Sequence, residues 1–516
     1  MSAQDPPERP GENAPIYDVL IAGAGPVGLF LAHELALSKV SVLVLEEIED
    51  MHSPLKRLPL GMRGLIVPTI EAFYRRGLLD DLTKDPPVMR IGAGGPQQRR
   101  PAGHFAGIPF DRRNVDTSKW TYYLPSPAET MIMTDMERIE TVLAERAHAI
   151  GARIRYGLGI QSFTQSDDEV TVRAGEETFR TRWLVGCDGG RSTVRKLGGF
   201  ELVGTDPEFT GYSALAELAD PHKLRAGRHF TPAGMYQTQP GSVVMADFDG
   251  GKFHRSGPVT LEQLQAVLRR VSNTDVTISA VHIASSWTDR AQQATAYRRG
   301  RVFLAGDAAH LHSPVGGQGL NLGLGDALNL GWKLAATVHG WAPDGLLDTY
   351  FTERHPIGMQ VLDWSRAQVA LMKPSQGSSA LQAIMSDIIA TGDGATYFAK
   401  RAWGISVRYD PGREDSHPLV GRSAPDFELD DGGTKLGVLL QGGKGLLLDF
   451  NTRAALRAVW TRWEDRIEYV TGGAKEQVAL SVVLIRPDGF VAWACDGDPD
   501  IDALRKVLLF WFGAES

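Results

Sequence analysis

Apolar residues in this chain alternate between short continuous runs, strict alternation and helical spacing, and the switches predict where its parts begin and end. Tyr17-Asp18-Val19-Leu20-Ile21-Ala22-Gly23 is a short, mostly apolar run closed by glycine, the pattern of a buried parallel strand. Helical spacing follows from about Pro26 to Leu37, and then a second apolar run, VSVLVLEE. Strand, helix and strand in that order predict a βαβ opening and a doubly wound sheet. The stretch from 131 to 200 continues in kind, with a helix (MERIETVLAERAHAIGA), strands around ARIRYG and EVTVR, and the buried strand WLVGCDGG. Between 201 and 288 the texture changes to alternating runs, GYSALAEL, GSVVMADF and DVTISAVHI, which predict a separate antiparallel sheet. A parallel-type run returns at RVFLAGDAAH, and helical spacing carries on to about 405. Beyond the turn-rich YDPGREDSHPLVGRSAPDF, the segments KGLLLDF, RAALRAVWTRW, VALSVVLIRPDGFVAW and DALRKVLLFWF predict a β-α-β-β-α module.

The organisation expected is a disordered tail over 1–15, an α/β domain over 16–200 that resumes over 289–405, an inserted antiparallel-sheet domain over 201–288, and a C-terminal α/β domain over 406–516. A chain of 516 residues has room for these separate cores. Its 54 basic against 62 acidic residues, net −8, argue against nucleic acid as a partner. Cys187 and Cys495 are far apart in sequence, so neither a disulfide framework nor a metal site is expected. No apolar run reaches the roughly 18 residues of a membrane span, and the polar, proline-rich start lacks the apolar core of a signal peptide. A soluble cytoplasmic protein is expected, with no membrane partner; a homodimer is allowed.

The chemistry sits at two glycine-rich turns. Gly23-Ala24-Gly25-Pro26-Val27-Gly28 is a GxGxxG set between strand and helix, the context that makes it a dinucleotide fingerprint. Gly23 serves the tight turn, Gly25 the close approach of a pyrophosphate, and Gly28 the packing of helix on strand. The phosphates then meet a helix N-terminus, and Glu46, ending the second strand, can accept from a ribose diol. This motif alone does not separate FAD from NAD. The second turn does: Gly306-Asp307 ends a buried strand, and Pro314, Gly316, Gly317, Gly319, Leu320 and Asn321 form a glycine-rich run that opens a helix. Asp307 can bind ribityl hydroxyls, bare backbone can face a flat ring, and the positive helix end would stabilise a reduced, anionic flavin.

These residues, with Cys187-Asp188-Gly189 between them, resemble the class A flavoprotein aromatic hydroxylases that share the para-hydroxybenzoate hydroxylase fold. The resemblance runs from about Tyr17 to Phe512. It implies a Rossmann-like FAD-binding domain with an inserted substrate sheet, and flavin contacts from Asp188-Gly189 and Gly306-Asp307. GRSAPDF and RPDGFVAWA also resemble the thioredoxin-like C-terminal domain of the polyketide-type subfamily. Here Asp449-Phe450-Asn451-Thr452 stands where a dithiol would be, so a structural or interface role is expected. Relatives carry an arginine after the second strand, but an ungapped match puts Gly61 there; Arg57 and Arg63 are the candidates to replace it. Relatives also place a glutamine where Met136 stands.

The activity implied is FAD-dependent monooxygenation, with NADPH or NADH as transient electron donor and O2 as co-substrate. One oxygen atom would pass from a flavin C4a-hydroperoxide to a polycyclic aromatic or polyketide-like ring. Baeyer–Villiger oxidation on the same scaffold is the alternative, and a flavin-fold binding protein without turnover a further one. The absence of a second GxGxxG and of CxxC sets aside a pyridine-nucleotide-disulfide oxidoreductase, and the absence of a WxWxIP-type segment sets aside a flavin halogenase. No acid or base is assigned; Pro314 is the flavin-facing residue. Tyr236, His254, His282 and Trp287 are candidates to line a substrate pocket between the 201–288 sheet and the flavin edge.

Overall fold

A computed structural model describes residues 15–84, 88–90, 101–120, 126–128, 130–253, 258–412, 416–430, 432–475 and 480–515. The expected tail lies almost wholly outside the described residues, and so does His254. Strand β1 (Ile16–Ala22) runs into helix α1 (Pro26–Leu37) and strand β2 (Val42–Leu45), as the apolar runs require. Strands β3 (Arg153–Arg155) and β4 (Glu177–Gly186) complete the parallel centre together with Val302–Leu304. The order is Val302–Leu304, β4, β1, β2, β3. Val19 pairs with Val42 on one side and Trp183 on the other, and Val19, Leu20 and Ile21 are fully buried. Covered on both faces, such strands need apolar residues at successive positions rather than alternation.

The alternating runs form an antiparallel sheet of strands β5 (Thr210–Leu218), β6 (Gly227–Thr231), β7 (Gly234–Gln239), β8 (Ser242–Asp247) and, beyond helix α2 (Leu261–Ser272), β9 (Ile278–Thr288). Its order is β6-β7-β8-β5-β9. Thr260 caps α2 through a bond from the Gln263 N–H, and Leu264, Val267, Leu268 and Val271 pack against Tyr212, Tyr236 and Met245 of the sheet. The other face, with Met235, Ala246 and Trp287, joins the main core. The chain returns through helices α3 (Gly319–Val338) and α4 (Asp348–Met372), and two more helices run to Ala402.

The C-terminal sheet differs from expectation by one strand. Strands β10 (Gly445–Asp449), β11 (Ile467–Thr471), β12 (Val482–Ile485) and β13 (Val491–Cys495) lie in the order β11-β10-β12-β13, with β11 parallel to β10. Strand β11 is a short, half-buried edge strand carrying Glu468, which weakens its apolar signal. The β12–β13 turn packs against the N-terminal part of the chain. Arg486 pairs with Asp488 and with Glu353 of α4, and Glu353 also accepts from Lys333 Nζ at 2.6 Å. Nearby, Arg76 donates to both oxygens of Glu34 on α1, at 2.7 and 2.8 Å, and to the Pro487 carbonyl at 2.7 Å. All these side chains are buried, so their charges are matched inside the protein, as a low-dielectric interior demands. Burial pushes the Glu34 and Glu353 carboxyls up, but Arg76, and Arg486 with Lys333, outweigh it and hold each at about 2. Among the described residues no helix is long and apolar enough to cross a membrane.

Candidate active site

Strand β1 delivers the chain to the first glycine turn. A Cβ on Gly23, whose φ is 100°, would lie 2.5 Å from the Cys187 carbonyl oxygen, and one on Gly28 would lie 2.0 Å from the Gly23 carbonyl oxygen. Both glycines are required by neighbouring backbone. Gly25 is different: a Cβ there would meet no atom of the described residues within 4 Å. Its bare backbone faces open space at the start of α1, which has Pro26 in its first turn, no side-chain cap and no acidic residue there. The free N–H groups and the helix dipole favour an anion at this point. Glu46 braces the turn, accepting from the Ala24 N–H at 2.6 Å and the Ile48 N–H at 3.0 Å. The Val27 side chain packs beneath Gly306 and Gly323, so its contribution is to seat the two turns together.

The second turn is set by a buried carboxylate. Asp326 on α3 accepts from the Gly306 N–H at 3.0 Å, from His310 Nε2 at 2.6 Å and from Arg354 Nε at 2.8 Å. Burial pushes this carboxyl up, but His310 and Arg354 outweigh it and hold it below the ordinary range. Asp307, next in sequence, has a side chain 58% exposed and no hydrogen bond to the described residues. One turn therefore holds a satisfied structural carboxylate and an unsatisfied open one. Between Pro314 and Gly319 the chain turns into α3, whose N-terminus also has no side-chain cap. Pro314 and Gly317 are exposed, and a Cβ on Gly317 would meet nothing within 4 Å. Gly316 instead backs onto Gln368 of α4, and Gln368 Oε1 accepts from the Ala106 N–H at 3.0 Å, tying in the hairpin 101–111. Leu320 packs half-buried against the main core.

Comparison with known proteins decides the family. A family model described as FAD binding domain matches residues 16–365, and one described as aromatic-ring hydroxylase, C-terminal, matches residues 417–515. The chain belongs to the FAD-dependent aromatic-ring hydroxylases. A Claviceps purpurea relative named as a monooxygenase is 44% identical over 97% of this chain and 98% of its own. Rifampicin monooxygenase of Streptomyces venezuelae is 37% identical over 97% and 99%. The solved structure of OxyS anhydrotetracycline hydroxylase from Streptomyces rimosus matches with a TM-score of 0.84 at 34% identity, over 97% of this chain and 100% of that one.

In this hydroxylase the remaining expected residues separate into those that face the two turns and those that do not. Arg57 is exposed and committed to Glu137 by bonds of 2.9 and 3.0 Å. Among the described residues Arg63 donates to backbone alone, to the Met62 carbonyl at 2.9 Å and the Leu60 carbonyl at 3.4 Å, and Asp307 is among the charges acting on it. Asp188 accepts from Ser192 Oγ at 2.5 Å and from the Thr193 and Val194 N–H groups at 2.6 and 3.0 Å. Its carboxylate caps the next helix, and a Cβ on Gly189 would meet no described atom within 4 Å. The Asn321 side chain is likewise a brace: it accepts from the Ile66 N–H and Thr69 Oγ1 and donates to the Gly64 and Gly317 carbonyls.

Two pocket candidates are corrected. Tyr236 points to the α2 side of its sheet and is buried there, because side chains alternate faces and its register puts it with Tyr212 and Met245. His282 is exposed and pairs with Glu217 at 2.9 Å, at an irregular step in the β5–β9 pairing. Trp287 takes the face toward the main core, packing against Gly211 and Phe209 and donating to Ser213 Oγ at 3.1 Å. Sequence reasoning missed Gln368 and His312, which motif spacing could not flag. Gln368 lies in mid-helix, and His312 sits between the two halves of the glycine-rich signature. The expected Asp449 turn carries no thiol; Asp449 accepts from the Asn451 N–H at 3.0 Å and Tyr469 Oη at 2.8 Å.

Proposed function

We propose that this hydroxylase takes electrons from NADPH or NADH and inserts one atom of O2 into a ring of a polycyclic aromatic or polyketide-like substrate. The observation that carries the reading is the coincidence of two uncapped helix N-termini, the open backbone of Gly25 and Gly317, and the unbonded Asp307 along one path. That set fits FAD: phosphates at Gly25 and the start of α1, ribityl chain at Asp307, ring system at Pro314–Gly319, with Arg63 supplying positive charge. Bound FAD supplies the electron storage and oxygen activation. The chain's own part is to orient, to exclude water and to offer the positive end of α3 to developing negative charge. The Trp287 face of the middle sheet is the wall for a flat substrate. We further propose the domain division read from periodicity, with 201–288 as the substrate-bearing insertion. Purified protein should be yellow, oxidise NADPH or NADH faster with a fused-ring phenol present, and place one labelled atom from 18O2 in the product by mass spectrometry. Absence of flavin, or a product without label, overturns the reading; a ring-expanded ester would reassign the reaction as Baeyer–Villiger oxidation.

A further inference from the structure

Between the Gly306-Asp307 turn and Pro314 lies a histidine to which the proposed chemistry gives no task. The His312 side chain is 9% exposed. Its Nδ1 lies 3.0 Å from the Ser313 carbonyl oxygen. A carbonyl only accepts, so the hydrogen is on Nδ1, and in the neutral ring Nε2 carries the lone pair. That Nε2 is buried and has no hydrogen-bond partner. It stands 3.8 Å from Asp307 Oδ1, beyond hydrogen-bond reach, with an acceptor facing an acceptor. The ring also lies against the first residue of α3, where a Cβ on Gly319 would fall 1.6 Å from Nε2. A buried imidazole nitrogen and an exposed carboxylate thus stand side by side at an uncapped helix end, and no described group donates a hydrogen bond to either. A buried acceptor left without a donor is costly. The arrangement has the spacing for a molecule that brings hydroxyl hydrogens to both.

We propose that His312 Nε2 and the Asp307 carboxylate together receive hydroxyl groups of the ribityl chain of FAD, so that His312 is a cofactor-positioning residue. This rests on the reading of Asp307 as part of the flavin site. It also accounts for glycine at 319: any side chain there would displace the imidazole. Affinity of the flavin-free protein for FAD and for lumiflavin, which has no ribityl chain, tests it by fluorescence titration. His312→Asn keeps a polar group near the Nδ1 position and removes the distal acceptor; His312→Met removes it at greater length; His312→Gln returns an oxygen at that reach. FAD binding should weaken about tenfold in the Asn and Met variants, the loss of roughly one hydrogen bond, and recover in the Gln variant. Lumiflavin binding should not change. Equal loss for both flavins, or unchanged FAD affinity in a folded Asn or Met variant, overturns the proposal and leaves His312 a packing residue. Asp307→Ala, measured alongside, separates the two readings: if it too leaves FAD affinity intact, the flavin-site assignment itself fails.

Discussion

Gly25 and Gly28 sit three residues apart in one motif, yet their neighbours make opposite demands. No described atom lies within 4 Å of where a Gly25 Cβ would sit, whereas a Cβ on Gly28 would meet the Gly23 carbonyl oxygen at 2.0 Å. Gly25→Val should therefore fold with the thermal stability of the flavin-free wild type and fail to take up FAD, measured by absorbance after reconstitution. Gly28→Val should instead lose stability, because backbone must move. A Gly25→Val protein that purifies with stoichiometric FAD would show that the turn is not the phosphate site. Asp307→Ala removes an acceptor to which no described group donates a hydrogen bond, so FAD affinity should fall by roughly one to two orders of magnitude with the melting temperature of the flavin-free form unchanged.

At the scale of elements, α3 links the second glycine turn to the C-terminal module. Its N-terminal end follows the second glycine turn, Asp326 one-third of the way along holds Gly306 and His310, and Asn329 and Lys333 farther on meet Glu353. Removing one member of a buried charge set leaves the others uncompensated, at a cost of about 3–5 kcal/mol. Arg486→Met should accordingly lower the free energy of unfolding by that order while its own new side chain packs against Trp332 and Trp511, which the guanidinium now overlies. Chemical denaturation of the flavin-free protein reads this directly; a loss below about 1 kcal/mol would mean that the Arg486 cluster is not a principal support of α3 and α4.

For the whole molecule, the seam between the two halves combines apolar contacts with buried ion pairs, and the ion pairs give it a pH response with a definite sign. Glu34 and Glu353 are held at about 2 against an ordinary value of 4.5. A carboxyl depressed in the folded state contributes stability that is full above its unfolded value and is lost as pH falls through the folded one. Stability should decline between about pH 4.5 and 2, on the order of several kcal/mol in total, and substituting Glu353 by Gln should flatten part of that decline in acid titrations followed by circular dichroism. Truncation near Pro411 should expose Glu353, Lys333 and the Glu34–Arg76 pair together and yield insoluble or unstable protein. A truncated form that stays soluble and holds FAD would refute the seam as a structural requirement.

The periodicity of apolar residues by itself determined the doubly wound sheet and the inserted antiparallel sheet, and glycine spacing marked the two turns, because strand burial and glycine-dependent close approach are properties of consecutive residues. Family resemblance extended this to FAD chemistry, and the family comparison agrees. What tertiary structure decided were the matters of facing and partnership. Tyr236 and Trp287 both lie on strands of one sheet, and only register sends one to α2 and the other to the main core. Arg57 and Arg63 read alike in sequence until Glu137, eighty residues on from the first, takes it. Asn321 belongs to the signature, yet the backbone of residues 64–66 claims its side chain. His312 carries no signal at all until folding places its ring between Gly319 and Asp307. Each of these outcomes depends on groups distant in sequence meeting through hydrogen bonds and excluded volume, which no local pattern of residues contains.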